Sequence, residues 1–414
     1  MKPDGSPASL AWLQSTERFE KNSLSVAKGN YMPLTSRERV QAVLNHEIPD
    51  RVPILLGASN ATGISTPAYR NLKRYLGFQA EEKYLYDWPE LGTAAIDEPV
   101  LERLHSDVRG VHDREPAAVR ERNQAREPGS PYFNSWGVGS VEGDPGTWFP
   151  AIHPLAETHL IEDLETYPWP DMNDPSRVAH VKAEARRLAE ENKYAILATP
   201  WLAFPLERAY AMQRMDRFMR NLGKYPDFTR ALLTKIAELC KTLMGHFLRE
   251  IGDDIDMIKI GDDLGMQNSL LMSPKMYRDI VKPIHADYIS FIKSRTKAKL
   301  FFHTDGDVFP LIPDFIEMGV DILNPIQTSA GKMSDLEQLK RQFGKNLVFC
   351  GAIDTHRILP FGTPDEVRLE VKRIIQILGQ DGGYMLASVH TILPDVPPEN
   401  ILAMVDAALE FGGY

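Results

Sequence analysis

The residues best suited to chemistry in this chain are two histidines and an aspartate. His303 and Asp305 lie in FFHTDGD, and His390 lies far downstream in ASVHTILPD. Two imidazoles and one carboxylate can hold a divalent cation and leave a position open for a substrate. The same groups can also act as acid–base or hydrogen-bonding residues without a metal, and a His-x-Asp spacing alone does not choose between the two. Asp262 and Asp263 form an adjacent carboxylate pair that could serve as acid and base, or could cap a following helix. Glu207, in PLERAY, could transfer protons or could simply complement a helix dipole. Trp201, Phe204, Trp136 and Trp148 could line a flat pocket or could be plain core. Cys350 ends an apolar run with no acidifying surroundings in view, which reads as a small core residue rather than a nucleophile. The glycines of GDDLG and HTDG match no phosphate-binding spacing.

Such groups act together only if the fold carries them to one place. Eight short apolar runs alternate with helical patterns: RVPILLG (51–57), SDVRGV (106–111), YAILATP (194–200), IDMIKIG (255–261), AKLFFH (298–303), VDILNP (320–325), NLVFCG (346–351) and GYMLAS (383–388). Continuous apolar runs suit parallel strands buried on both faces. The helices between them are well punctuated. Thr35-Ser-Arg-Glu38, Ser334-Asp-Leu-Glu337 and Thr363-Pro-Asp-Glu366 read as capping boxes, Ser273-Pro274 as a capped start, and Gly379 as a stop. Eight alternating strands predict a (β/α)8 TIM barrel, with a doubly wound open sheet as the alternative. The barrel domain should span 34–414, preceded by a polar arm over 1–33. An insertion at about 112–193 should carry a β-hairpin, YFNSWGVGSVEGDPGTWFP (132–150), as a cover for the barrel mouth. Barrel chemistry sits where strands end. The polar residues there are Asn60, Thr199, Trp201, Glu207, Asp262, Asp263, His303, Asp305, Asn324, Gln327, Cys350, Asp354 and His390.

Composition sets the outer limits. A chain of 414 residues with 43% hydrophobic and 25% charged residues can bury a large core without staples. Its two cysteines, Cys240 and Cys350, cannot build a disulfide framework, which favours a reducing, cytoplasmic setting. A formal charge of -10 disfavours nucleic acid as a partner. No apolar run approaches the roughly 18 residues needed to span a bilayer, and the first 30 residues lack the apolar segment of a secretory signal.

At these motifs the chain resembles a known family. LTSRERVQAVLNHEIPDRVPI, GDDLGMQNSLLMSP, FFHTDGDVFPLIPDFIEMGVDILNPIQ, FCGAIDTHRILPFGTPDEV and HTILPDVPPENILAMVDAAL occur in the order seen in the uroporphyrinogen decarboxylase superfamily. The chain is similar to the zinc- and corrinoid-dependent methyltransferases of that superfamily rather than to the decarboxylase. The decarboxylase meets its polycarboxylate substrate with an Arg-rich segment after the first strand. Here that segment reads LLGASNATGISTPAYR, with only Arg70 basic. The methyltransferase branch binds zinc through His-x-Cys and a later Cys, and the resemblance places His303, Asp305 and His390 at those positions, with both thiolates replaced. Harder nitrogen and oxygen ligands suit an oxygen-bearing donor. The resemblance therefore implies an O-demethylating methyltransferase that moves a methyl group from a methoxylated small molecule, an aromatic one in particular, to a corrinoid. Asp354-Thr-His356-Arg-Ile-Leu359 departs from the Asp-x-His-x-x-Gly of corrinoid-binding domains at the Gly, so the corrinoid is expected on a separate protein docked at the mouth. The expected metal ligands are His303, Asp305 and His390; these with Glu207 form the catalytic set, and Asn60, Trp201, Phe204, Asp262, Asp263 and Gln267 orient the substrate. A homodimer is a further expectation. Two other functions stay open: a cofactor-free decarboxylase of a smaller acid, and a non-catalytic barrel that binds a ligand.

Overall fold

Seven of the eight apolar runs form one parallel sheet in a computed structural model that describes residues 33–79, 81, 83–85, 92–143, 148–200 and 204–414. In chain order they are β1 (Val108–His112), β2 (Ala195–Thr199), β3 (Met257–Gly261), β4 (Lys299–His303), β5 (Ile322–Ile326), β6 (Val348–Ile353) and β7 (Tyr384–Ser388). Each pairs in parallel with the next. Side chains in β2, β3, β5, β6 and β7 are buried throughout, because helices cover the outer face while the inner face fills the middle.

The eighth run, at 51–57, closes the ring without becoming a regular strand. The Leu55 amide donates to the Leu386 carbonyl at 2.8 Å, the Leu386 amide donates to the Pro53 carbonyl at 2.9 Å, and Ile54 bridges Leu386 in parallel. On its other side the Asp107 amide donates to the Ile54 carbonyl at 2.8 Å. Pro53 has no N–H to give a continuous ladder, and side chains substitute. Asp107 accepts from the Ile54 amide at 2.8 Å, and Ser106 accepts from the Leu56 amide at 3.3 Å. The closed (β/α)8 barrel is therefore the fold, with one irregular stave where a regular strand was expected.

Alternation along each strand sends every second residue inward. Leu55, Val108, Ala195, Leu197, Met257, Phe301, Ile322, Val348, Cys350, Met385 and Ala387 form the barrel's inner core. Val40, Val43 and Leu44 of helix α1 (Ser36–Leu44) join that core and plug its lower end. The capping box predicted at Thr35 and Glu38 opens α1. Beside the plug, fully buried Asp107 accepts from Arg39 at 2.7 Å, Ser36 at 2.7 Å and Arg51 at 2.8 Å. The second expected box, Thr363 and Glu366, is also present, and Gly379 caps the end of its helix. The third differs: Asp335, not Ser334, caps the helix Leu336–Phe343, because the chain first makes a 3-10 turn over Gly331–Ser334.

The expected hairpin is a three-stranded antiparallel sheet of Tyr132–Phe133, Gly139–Glu142 and Trp148–Ile152. Part of its Gly-Asp-Pro-Gly turn lies outside the described residues. The chain that follows this sheet is tied to helix α2 (Pro205–Gln213), as the Leu155 amide donates to the Met212 carbonyl at 2.9 Å. Arg208 of α2 lies 5.5 Å from the ring centre of fully buried Trp136. Among the described residues no helix is long and apolar enough to cross a membrane. Except for Pro33, the N-terminal arm lies outside the described residues.

Candidate functional site

The inner core stops at Phe301 and Ile322. Two residues further along each strand the inward positions become polar: His303 on β4 and Asn324 on β5. The two stand side by side in the strand register. His303 Nδ1–H donates to Asn324 Oδ1 at 2.7 Å, which turns Nε2 and its lone pair toward the barrel mouth. Asp305 follows on the loop beyond β4. His390 comes from the loop beyond β7, where Thr391 Oγ1 donates to the Asn60 carbonyl at 2.6 Å and pins the segment.

These three side chains converge. Asp305 Oδ2 is 3.8 Å from His303 Nε2 and 3.8 Å from His390 Nε2, and the imidazole ring centres are 5.6 Å apart. One ligand atom from each lies within 4.8 Å of the others, and among the described residues this is the cluster able to hold a metal ion. Asp305 Oδ1 is buried and has no hydrogen-bond partner among the described residues. A tetrahedral zinc with ligands at about 2.0–2.2 Å sets neighbouring ligand atoms near 3.3 Å. The two 3.8 Å separations need a contraction of about 0.5 Å and the third pair, within 4.8 Å, one of up to about 1.5 Å, which rotation of the side chains can supply, so the donor set fits such an ion.

Two loops must touch to place Asp305. Gly306 has φ +89°, and a Cβ added there would sit 2.3 Å from the backbone of Gly265. Glycine allows this left-handed turn and this approach. The contact lets the Asp305 amide donate to Asp263 Oδ1 at 3.0 Å and the Gly265 amide donate to the Asp305 carbonyl at 3.0 Å. Gln327 Oε1 holds the same turn by accepting from the Gly306 amide at 2.7 Å.

Burial moves the protons. It lowers His303 well below the usual imidazole range, and the Lys259 ammonium and His390 push the same way. His390 is lowered by burial and by Lys259, tempered by the 42% of its side chain that stays open to solvent. Both imidazoles are therefore neutral near pH 7, the form that binds metal. Asp305 is raised well above the carboxylate range by burial and by Asp263, against the pull of Lys259. Glu207 is raised by burial and by repulsion from Asp263 and Asp262. Asp263 is raised by burial, although its bond from the Asp305 amide opposes this.

The remaining expected residues divide. Asn60 sits in the mouth, and its Oδ1 accepts from Lys259 Nζ at 3.0 Å. Buried Phe204 places its ring centre 5.2 Å from the same ammonium. Glu207 and Asp263 share the electrostatic field of that ammonium. Asp262 is a correction: it is fully buried and spends its carboxylate inside the fold. It accepts from the Leu206 and Glu207 amides at 2.9 and 2.7 Å, capping α2, and from His285 at 2.9 Å. The helix it caps precedes it in the chain and is not the following one that the sequence suggested, and its carboxylate is not offered to a substrate. Gln267 is exposed on the rim and donates to the Ser329 carbonyl. Asp354 accepts from the His356, Arg357 and Ile358 amides, a loop-holding role. Cys350 is fully buried, and burial pushes its thiol up to about 12, as a core residue requires. Trp201 lies outside the described residues.

Two residues escaped the sequence reading. Lys259, fully buried in the middle of β3, is the ammonium that His112, His303, His390, Glu207, Asp263 and Asp305 all feel. Its signal was present: a lysine at an inward position of an otherwise apolar strand, MIKIG. His112 ends β1, bonds through Nδ1 to Thr199 Oγ1, and is lowered to about 3 by burial and the nearby His180 and Lys259.

Comparison with known proteins agrees with this architecture. Residues 144–411 match the profile of the family described as Uroporphyrinogen decarboxylase (URO-D). A uroporphyrinogen decarboxylase from Pelodictyon phaeoclathratiforme is 25% identical over 205 residues, covering 49% of this chain and 52% of that protein. One from Coxiella burnetii is 24% identical over 218 residues, covering 51% and 56%. The chain thus spans about half the length of the curated relatives it matches. A solved methyltransferase from Methanosarcina mazei superposes with a TM-score of 0.64 at 20% identity, over 91% of this chain and 99% of that one, a likeness of fold. The profile match covers well over half of the sequence, and with it the chain belongs to the uroporphyrinogen decarboxylase family.

Proposed function

We propose that this protein is a methyltransferase that takes a methyl group from a methoxylated small molecule, aromatic by preference, and passes it to the cobalt of a corrinoid on a separate protein. The observation that carries the reading is the meeting of His303, Asp305 and His390 at the barrel mouth, with a buried Asp305 oxygen that has no partner among the described residues. This donor set, two imidazoles and a carboxylate with no thiolate, favours zinc in a hard environment and an oxygen-bearing substrate. Zinc held there would supply Lewis acidity toward an ether oxygen.

The chain's own groups do the rest. Asn324 fixes His303 in the tautomer that presents Nε2. Phe204 offers an apolar wall for a ring. Glu207 and Asp263, pushed toward their neutral forms, can donate hydrogen bonds to further oxygens of the donor. Asn60 completes the polar floor. The two buried free cysteines suit a reducing cytoplasm.

The test is to incubate the protein with cobalt(I) corrinoid, free and protein-bound, and a panel of methoxylated compounds, following methylcobalt absorbance. Methylcobalt should form with the parent chain and not with His303→Ala. Absence of methylcobalt with every donor, together with carbon dioxide release from small carboxylic acids, would replace this reading with a decarboxylase.

A further inference from the structure

The geometry points to Lys259 as the proton donor to the oxygen that methyl transfer releases. This rests on the methyltransferase reading and adds a catalytic residue to it. A lysine is among the costliest side chains to bury, and β3 needs none for packing. Inward alternation puts Lys259 above Met257, in the layer where core gives way to site. Asn60 holds Nζ at 3.0 Å from its own Oδ1, and the Phe204 ring flanks it at 5.2 Å. Lys259 stands beside Phe301 in the strand register, two residues below His303 on β4, and its Nζ reaches up to Asn60 in the mouth, which brings the ammonium to the side of the site where the donor's oxygen would sit.

In the step, the methyl C–O bond breaks and its electron pair stays on oxygen. The new bond to carbon uses the electron pair of cobalt(I), which is formally oxidised to cobalt(III). The oxygen takes a proton from the Lys259 ammonium, which becomes a neutral amine, and the product leaves as a phenol or alcohol. Burial brings the Lys259 ammonium down to about 8, against the pull of Glu207, Asp263 and Asp305, which makes it a stronger acid than an ordinary lysine. A lysine kept only as a counter-charge to those carboxyls would make no such transfer.

The experiment compares wild type, Lys259→Met, Lys259→Gln and Lys259→Arg across methyl ethers of differing leaving-group acidity. General acid catalysis is worth about 100-fold or more where the leaving oxygen is basic. Lys259→Met and Lys259→Gln should therefore lose at least about 100-fold in kcat with electron-rich aryl or alkyl methyl ethers. They should lose under about 10-fold with a nitro-substituted methoxyarene, which needs little protonation. An equal loss across the series, or no loss, overturns the proposal. A second readout needs no methyl transfer: 4-nitrophenol titrated with chelator-treated protein. In wild type and Lys259→Arg the bound phenol should ionise at lower pH than free nitrophenol, seen in its phenolate absorbance, and Lys259→Met should abolish the shift. No binding, or an unshifted titration in wild type, also overturns it. If no methoxy donor reacts but the Lys259-dependent shift is present, the methyl-donor reading fails while the acid role of Lys259 stands.

Discussion

Asn324→Ala isolates how the barrel prepares its metal ligand. The substitution removes the acceptor that holds His303 Nδ1–H at 2.7 Å and leaves all three proposed ligands in place. The backbone bond from the Thr304 amide to the Asn324 carbonyl, at 2.8 Å, does not involve the side chain and should survive. His303 would then lose a buried hydrogen bond of about 1 kcal/mol. It would also gain the freedom to carry its proton on Nε2, where no metal can bind. Loss of such an orienting partner lowers metal affinity about 10- to 100-fold, or about 1.4–2.7 kcal/mol. Competition for zinc against a chromophoric chelator measures this directly. Asn324→Asp, which keeps an acceptor and makes the imidazole more basic, should hold zinc at least as tightly as the parent. The reasoning is refuted if Asn324→Ala binds zinc as tightly as the parent while His303→Ala does not bind it. In that case His303 is oriented by something other than Asn324.

Other expectations follow from the same geometry. Asp305 is raised by burial and Asp263, whereas the two histidines are lowered, so acidification should protonate the carboxyl first. Zinc affinity should therefore fall as pH drops through the elevated carboxyl range, and zinc binding there should release about one proton, measurable by calorimetry in buffers of different ionisation enthalpy. Asp305→Asn should abolish that release. At the other end of the barrel, Asp107→Ala would leave Arg39 and Arg51 facing a gap in buried surroundings and should cost about 3–5 kcal/mol in denaturant unfolding. Asp262→Ala should uncap α2 and leave His285 without its acceptor, a loss of about 2 kcal/mol or more by the same measurement.

The barrel was legible because its signal is repeated. Eight apolar runs alternating with helical segments admit few topologies, and errors at one run do not spread. What the pattern could not show was how the ring closes. Pro53 breaks the ladder of the first stave, and Asp107 and Ser106 complete it with side chains, a role that no periodicity encodes. The three converging residues were legible because each lies at or just past the end of a strand, where all barrel staves open on one mouth. Asp262 occupies such a place too, yet it turns into the fold, since the α2 amides beside it require an acceptor. Lys259 was overlooked for the opposite reason: it lies inside a strand, and an apolar run directs attention to its ends. A charged residue on the inward parity of a buried strand is the sign that would have found it.

The central claim is that His303, Asp305 and His390 grip one ion. Zinc X-ray absorption of the protein as purified tests it most directly. The account predicts about one zinc per chain in a shell of nitrogen and oxygen only, at about 2.0–2.1 Å, two of the scatterers being imidazoles. Sulfur scattering near 2.3 Å, or zinc content unchanged in His303→Ala with His390→Ala, would contradict it.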